Sequence, residues 1–374
     1  MKGTLMEFTA RKEDLARELA LIQGIVERKN TIPILANVLI EVESTGLTLA
    51  ATDLDVGLRC RLDGDVIKSG ALTLSAKKLY EIVRAVSDSV VKVESMENNW
   101  ASISSGRAYF KMVGLAKTEF PSLPDPPSSG FTAIPGDVLG ELISKTSFAI
   151  TSDDNRYFLN GAKLELTEKQ LRMIATDGHR LAFIAKERRD PSGAMNVSVI
   201  VPKKTLLELV KILAEQDGPV EFAQSDNHLF FKIGARLLVS KRVDDQFPAY
   251  DKVIPQSNEK RVSCAREELA GAIRRVSLLA NERSRAVRFA INAGRVEVSS
   301  QNPEIGEASE TVEAGYDGEP LQIGFNGQYL LDFLSAASSP EIRFELKDDA
   351  SQGLLRPSGE NEGDYCYVVM PMRL

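Results

Sequence analysis

The chain carries two of the three short patterns that mark penicillin-recognising serine hydrolases. Ser75-Ala76-Lys77-Lys78 is an S-x-x-K, in which a lysine one helical turn from a serine can accept the hydroxyl proton and free the oxygen to attack a carbonyl. Ser225-Asp226-Asn227 is an S-D-N. The third pattern, K-T-G, is missing: Lys204-Thr205 continues to Leu206 and precedes the S-D-N rather than following it. The S-D-N also falls where a hairpin turn is expected, and turns select serine, aspartate and asparagine for backbone reasons alone. A hydrolase built on Ser75 and Lys78 is therefore the alternative reading, to be weighed against a non-enzymatic one.

Other chemistry has little material. His179 and His228 are the two histidines, and an Asp177/His179 dyad two residues apart at a strand end is better suited to holding a loop than to acid–base work. Neither G-x-x-x-x-G-K-[ST] nor G-x-G-x-x-G occurs, so no phosphate-cradling loop is indicated. Cys60, Cys264 and Cys366 are an odd, scattered set without C-x-x-C spacing, which argues against a disulfide framework or a zinc site. No cofactor and no metal are expected.

The elements that would position these residues repeat. Leu47–Leu54 (LTLAATDL) returns as Gln170–Gly178 (QLRMIATDG), with Ala51 and Ala175 in register 124 residues apart, and a degenerate third copy reads Gly294–Asn302 (GRVEVSSQN). Phe120-Pro121 recurs as Phe247-Pro248, and Phe8-Thr9 as Phe131-Thr132. A period this long suits whole domains that each own a core, because solenoid units run only about 20 to 50 residues. Each copy predicts a long amphipathic helix, strands, a shorter helix and more strands. The first helices are expected at Arg11–Lys29, Pro135–Ile150 and Ala265–Arg285; Leu15, Leu19, Ile22 and Val26 lie on one face of the first. The second helices are expected at Ala76–Asp88, Pro202–Gln216 and Gly327–Ala336, with Pro135 and Pro202 in first helical turns. The fold class is α+β three times over, with domains at 1–127, 128–255 and 256–374 divided by proline-rich joints.

Composition and charge narrow the function. Of 374 residues, 43% are hydrophobic and 26% charged, and the net charge is −7. No apolar run approaches the ~20 residues of a membrane span, and the N-terminus lacks a signal-peptide core, so a cytoplasmic protein without membrane contact is expected. The six expected helices hold 17 basic and 14 acidic residues, which leaves 29 basic and 39 acidic elsewhere. Basic helices on an acidic body can face phosphates while the rest repels them; solvated helix faces would give the same small bias.

These residues together resemble one family, the bacterial DNA polymerase III β subunits, the sliding clamps of the replicase. The resemblance rests on Lys29-Asn-Thr-Ile-Pro-Ile-Leu35, Asn155-Arg-Tyr-Phe-Leu-Asn-Gly161, Ala175-Thr-Asp-Gly-His-Arg-Leu181, Val201-Pro-Lys-Lys204, Gly324-Phe-Asn326 and the terminal Tyr367-Val-Val-Met-Pro-Met-Arg-Leu374. They span the chain in family order. The resemblance implies a head-to-tail homodimer of three-domain chains closing a six-domain ring, helices lining the hole and sheets outside. It implies a processivity factor that encircles double-stranded DNA without reading sequence and tethers the replicative polymerase, the clamp loader and other proteins carrying short apolar peptides.

Site residues follow from the same resemblance and from charge. Positions matching the family's DNA contacts include Lys29, Asp153, Tyr157 and Phe158, where Asp153 replaces an amide and Phe158 a tyrosine; Arg28, Lys203, Arg274 and Arg275 are the basic residues added to them. The implied partner-peptide pocket takes Leu159, the block Thr176, Gly178, His179, Arg180 and Leu181, then Pro248, Lys252 and Val253. Its last wall is Val368, Met370, Pro371, Met372 and Arg373, where flexible methionines adapt to different apolar anchors. Lys252 stands where the family often has arginine. The implied dimer joint sets a strand bearing Arg107, Tyr109, Phe110 and Met112 against a helix bearing Leu278 and Leu279.

Overall fold

The computed structural model describes residues 6–26, 32–151, 154–188, 196–359 and 364–373. One pattern of elements occurs three times. The first copy runs β1 (Glu7–Arg11), α1 (Lys12–Ile25), β2 (Asn37–Glu43), β3 (Gly46–Thr52), β4 (Val56–Leu62), β5 (Asp65–Lys68), β6 (Gly70–Ser75), α2 (Ala76–Ala85), β7 (Val90–Ser95), β8 (Trp100–Ser105) and β9 (Ala108–Val113). The second, without a counterpart of β5, runs β10 (Thr132–Pro135), α3 (Gly136–Ser144), β11 (Gly161–Leu166), β12 (Gln170–Thr176), β13 (Arg180–Glu187), β14 (Val197–Pro202), α4 (Lys203–Glu215), β15 (Pro219–Gln224), β16 (His228–Ile233) and β17 (Arg236–Lys241). The third runs β18 (Lys260–Ala265), α5 (Arg266–Val276), β19 (Ala286–Asn292), β20 (Arg295–Asn302), β21 (Gly306–Gly315), β22 (Leu321–Asn326), α6 (Gly327–Ala336), β23 (Glu341–Leu346), β24 (Gly353–Pro357) and β25 (Asp364–Val369).

Five of the six helices are shorter than their periodicity suggested, and α6 keeps its expected bounds. α1 closes at Ile25, and the long first helices of the other copies break into α3 or α5 followed by 3-10 turns at Ser147–Ala149 and Ser277–Leu279. The apolar spacing persists through such a turn because its residues still pack inward, which is why periodicity alone overran the ends. Pro135 and Pro202 are not in first helical turns; each is the last residue of a strand, just before its helix. The expected helical faces are buried: Leu15, Leu19 and Ile22 in α1, Leu139, Leu142 and Ile143 in α3, Leu269, Ile273 and Val276 in α5.

Sheets cross the boundaries between copies. The middle strands of the first copy join the outer strands of the second through β4 and β17, giving the order β10-β15-β16-β17-β4-β3-β2-β6. The second and third copies join the same way through β13 and β25, inside a 12-stranded sheet. A five-stranded sheet, β5-β1-β7-β8-β9, completes the set. The chain accordingly forms two compact units, residues 1–140 with 204–242 and residues 141–203 with 243–374, and the second copy is shared between them.

Within the first unit the β4–β17 joint is backed by a buried ion pair. Arg236 Nε and Nη2 donate to the two carboxylate oxygens of Glu18 on α1 at 2.8 and 2.6 Å. Burial pushes the Glu18 carboxyl up, but the hydrogen bonds and charge of Arg236 outweigh it and leave Glu18 below the ordinary carboxylate value. Lys204 Nζ adds a contact to Asp53 and another to the Ile25 carbonyl.

The repeated Thr-Asp turn has one hydrogen-bond scheme in both full copies. Thr52 Oγ1 donates to the Val56 carbonyl and accepts from Leu54 N–H; Thr176 Oγ1 does the same with Arg180 and Gly178. Asp53 and Asp177 accept the N–H of Val56 and of Arg180. Both turns place their third residue in the left-handed region, Leu54 at φ 80° and Gly178 at φ 89°. Glycine tolerates this without steric cost, whereas leucine carries strain of about 1–2 kcal/mol.

Among the described residues no helix is long and apolar enough to cross a membrane. The three cysteines are buried free thiols.

Candidate functional site

The serine pair of the hydrolase reading is occupied by backbone duties. Ser75 is the N-cap of α2, its hydroxyl accepting from Lys78 N–H at 3.5 Å, while Lys78 Nζ pairs with Glu81 at 2.8 Å. Ser225 closes the β15–β16 hairpin by accepting from His228 N–H at 3.2 Å. Among the described residues neither serine hydroxyl has a basic side chain as partner.

The second unit gathers the block 176–181 and the C-terminal tail at one place. β13 and β25 run antiparallel with Leu181 opposite Val368 and Arg180 opposite Val369, and beyond the ladder Met370 N–H donates to the His179 carbonyl at 2.9 Å. The tail then crosses to β22, where Met372 N–H donates to the Gly324 carbonyl at 2.8 Å. Leu181 and Val368 are buried in a cluster with Ile174, Phe183 and Tyr250, against which Phe247 and Ile254 pack. Met370 is 42% exposed, Gly178, His179, Val253 and Arg373 are exposed, and Pro371 and Met372 are half-buried. Pro248 and Lys252 are exposed and flank Tyr250, whose ring packs 5.9 Å from that of Phe183. Leu159 is buried at the end of the 3-10 segment Asp154–Leu159, and from that segment Arg156 reaches the Asp177 carbonyl at 3.3 Å.

The turn that carries His179 is held rigidly. Asp177 Oδ1 accepts the N–H groups of His179 and Arg180, and its Oδ2 accepts Arg180 Nε at 2.9 Å. Asp177 thus fixes a loop, and its contact with His179 Nδ1 is only 4.0 Å. Arg180 is turned inward, 9% exposed, with Nη1 on Asp332 at 2.6 Å, Nη2 on the Phe148 carbonyl at 2.6 Å and the Tyr329 ring 4.2 Å away. Its guanidinium is turned away from the surface.

The basic residues are less uniform than the sequence suggested. Arg274 is exposed in the last turn of α5 with no ion pair among the described residues, but Arg275 holds Glu310 of β21 through two hydrogen bonds of 2.7 and 2.5 Å, so its charge is already matched. Lys203 Nζ donates to the Ile150 carbonyl at 3.4 Å. Tyr157 is 58% exposed and stands edge-on to Phe158, and the nearby Asp245 carboxylate pushes its phenol pKa up. Arg28, Lys29 and Asp153 lie outside the described residues.

Among the described residues β9 has one edge free, as do the other sheet-end strands, and β21 is free over much of one side. β9 pairs with β8 alone, and its outward face carries Tyr109, 63% exposed, while Phe110 and Met112 are half-buried and Arg107 is exposed in the preceding turn. β21 pairs with β20 along its length but with β18 only at Ala314 and Gly315, which leaves Gly306–Glu313 without a second partner among the described residues. Leu278, 79% exposed, and half-buried Leu279 sit in the 3-10 turn after α5 rather than on a regular helix. The open β21 edge had no signal in the sequence, because an edge is a property of pairing and not of residue type.

Comparison with known proteins matches three family models along the chain: the N-terminal, central and C-terminal domains of the DNA polymerase III beta subunit, at residues 6–124, 133–249 and 251–373. A beta sliding clamp of Pseudomonas aeruginosa is 39% identical over 370 residues, covering 99% of this chain and 100% of the relative. One from Haemophilus influenzae is 36% identical over 372 residues, with the same coverage. Among solved structures, the Pseudomonas aeruginosa sliding clamp bound to griselimycin superposes with a TM-score of 0.92 at 38% identity, covering 99% of this chain and 100% of that one. The Bacillus subtilis clamp gives 0.92 at 29% identity, covering 99% of each.

Proposed function

The chain belongs to the DNA polymerase III beta subunit family, and from that premise we infer that it is a DNA sliding clamp, a non-enzymatic processivity factor working as a head-to-tail homodimer around duplex DNA in the bacterial cytoplasm. Its domains are assigned as 1–127, 128–255 and 256–374.

The strand joints carry the assembly. Outer strand β17 of the second copy meets middle strand β4 of the first, and β25 of the third meets β13 of the second. By the same rule the mate of outer strand β9 of the first copy would be middle strand β21 of the third, and pairing each with the other on a second chain closes a ring. Leu278 then comes under cover, which accounts for so exposed a leucine. Leu278→Ala with Leu279→Ala is expected to give folded monomers, since the lost contacts are intermolecular. Gel filtration with light scattering at micromolar protein checks this, and an unchanged dimer would overturn the joint.

A ring holds DNA by topology, so its phosphate contacts can be sparse and salt-sensitive. Retention on nicked circular DNA should be lost when the circle is cut at constant salt. Arg274→Glu should weaken loading and retention, whereas Arg275→Glu should act mainly through Glu310. Equal retention on linear and circular DNA would speak for ordinary binding instead.

Partner capture is assigned to the cleft between the 176–181 turn and the tail. Buried Leu181 and Val368 in one apolar cluster, with exposed Met370 two residues beyond Val368, suit the apolar anchors of a short peptide, such as those of the polymerase catalytic subunit and the clamp loader.

A further inference from the structure

We propose that Asp332, on α6 and behind the cleft, is a positioning residue for partner binding, acting through Arg180. The proposal rests on the reading of this region as the peptide cleft. The turn presents Gly178 and His179 outward, and Arg180 braces it from behind with every direction of its guanidinium engaged: Asp177 at 2.9 Å, Asp332 at 2.6 Å and the Phe148 carbonyl at 2.6 Å, the face lying on Tyr329. A guanidinium so placed cannot also clasp a peptide. Asp332 is 152 residues away in sequence and belongs to the third copy, and its other oxygen is held by Gln328 Nε2 at 2.8 Å.

The opposite wall is tied to the same helix. Tyr367 on β25, three residues before Met370, donates its hydroxyl to the Tyr329 carbonyl at 2.9 Å. One helix therefore sets both walls, the turn through Asp332 and Arg180, the tail through Tyr329 and Tyr367. Binding geometry tolerates errors of about 0.5 Å. A charge-assisted bond is roughly twice as strong as a neutral one, so asparagine at 332 keeps the shape and loosens the brace.

The test uses the full-length chain and a fluorescein-labelled peptide copied from the apolar clamp-binding segment of the replicative polymerase, with affinity read by anisotropy. Asp332→Asn should bind about fivefold more weakly, and Asp332→Glu should regain part of the loss. Arg180→Lys combined with Asp332→Asn should be no weaker than Arg180→Lys alone, the signature of two residues acting as one unit. Dimerisation and retention on circular DNA should not change. Asp332→Asn binding within twofold of the parent, with removal of the tail still abolishing binding, overturns the proposal and leaves the cleft standing. Loss of the dimer along with affinity overturns it as well, since the brace would then not be local. If the unaltered chain ignores the peptide, the cleft assignment itself falls and this inference with it.

Discussion

Removing Met370 to Leu374 is expected to abolish measurable peptide binding while leaving dimerisation and encirclement intact. The cut takes away the methionine and proline wall and keeps β25, which ends at Val369 and pairs with β13 and β24 upstream of the cut. Tightly packed anchor clusters concentrate binding energy, so the loss should reach about 2–4 kcal/mol, some thirtyfold to several hundredfold in Kd. Calorimetry on the intact and shortened chains decides it. Agreement within twofold would mean that the cleft lies elsewhere. The shortened protein should remain on circular DNA and yet fail to stimulate a polymerase.

The second large effect concerns the first unit. Arg236→Ala leaves the Glu18 carboxylate buried with only Arg17 Nε at 3.3 Å and the Cys60 thiol for partners. Breaking a buried pair from one side typically costs about 3–5 kcal/mol, and here the lower end is expected because Arg17 remains. The midpoint of urea unfolding reports it, with Arg236→Met plus Glu18→Leu expected to be milder than Arg236→Ala alone. pH gives an independent check. Glu18 titrates lower in the folded chain than its ordinary value of 4.5, so its contribution is present above that value and fades as pH falls through the folded one. Acid unfolding below about pH 4.5 should therefore be less steep in the double variant.

What the sequence disclosed and what it hid divide along distance in the chain. Features set by neighbours were legible: the Thr-Asp turn, the Ser225-Asp226-Asn227 hairpin and the faces of α1, α3 and α5 all follow from residues within a few positions. Helix ends were overrun where 3-10 turns kept the apolar spacing. Features set by pairing across the fold were not legible. Arg236 and Glu18 are 218 residues apart, Arg180 and Asp332 are 152 apart, and nothing local marks either pair. Arg275 read as a phosphate contact because Glu310 is distant in sequence. The tail entered only through the resemblance; through Val369 it is a strand, and its crossing to Gly324 appears only once β22 is folded.

The strand joints have a consequence for dilution. β4 with β17 and β13 with β25 are joined through one polypeptide, so each partner sees the other at an effective concentration fixed by the intervening chain, whatever the number of molecules in the cell. The joint proposed between β9 and β21 of two chains would have no such tether and would alone obey a bimolecular law. Scarcity, or a partner that competes for an open edge, therefore acts on one class of seam only, and a ring made of otherwise similar seams has its gate chosen by chain connectivity.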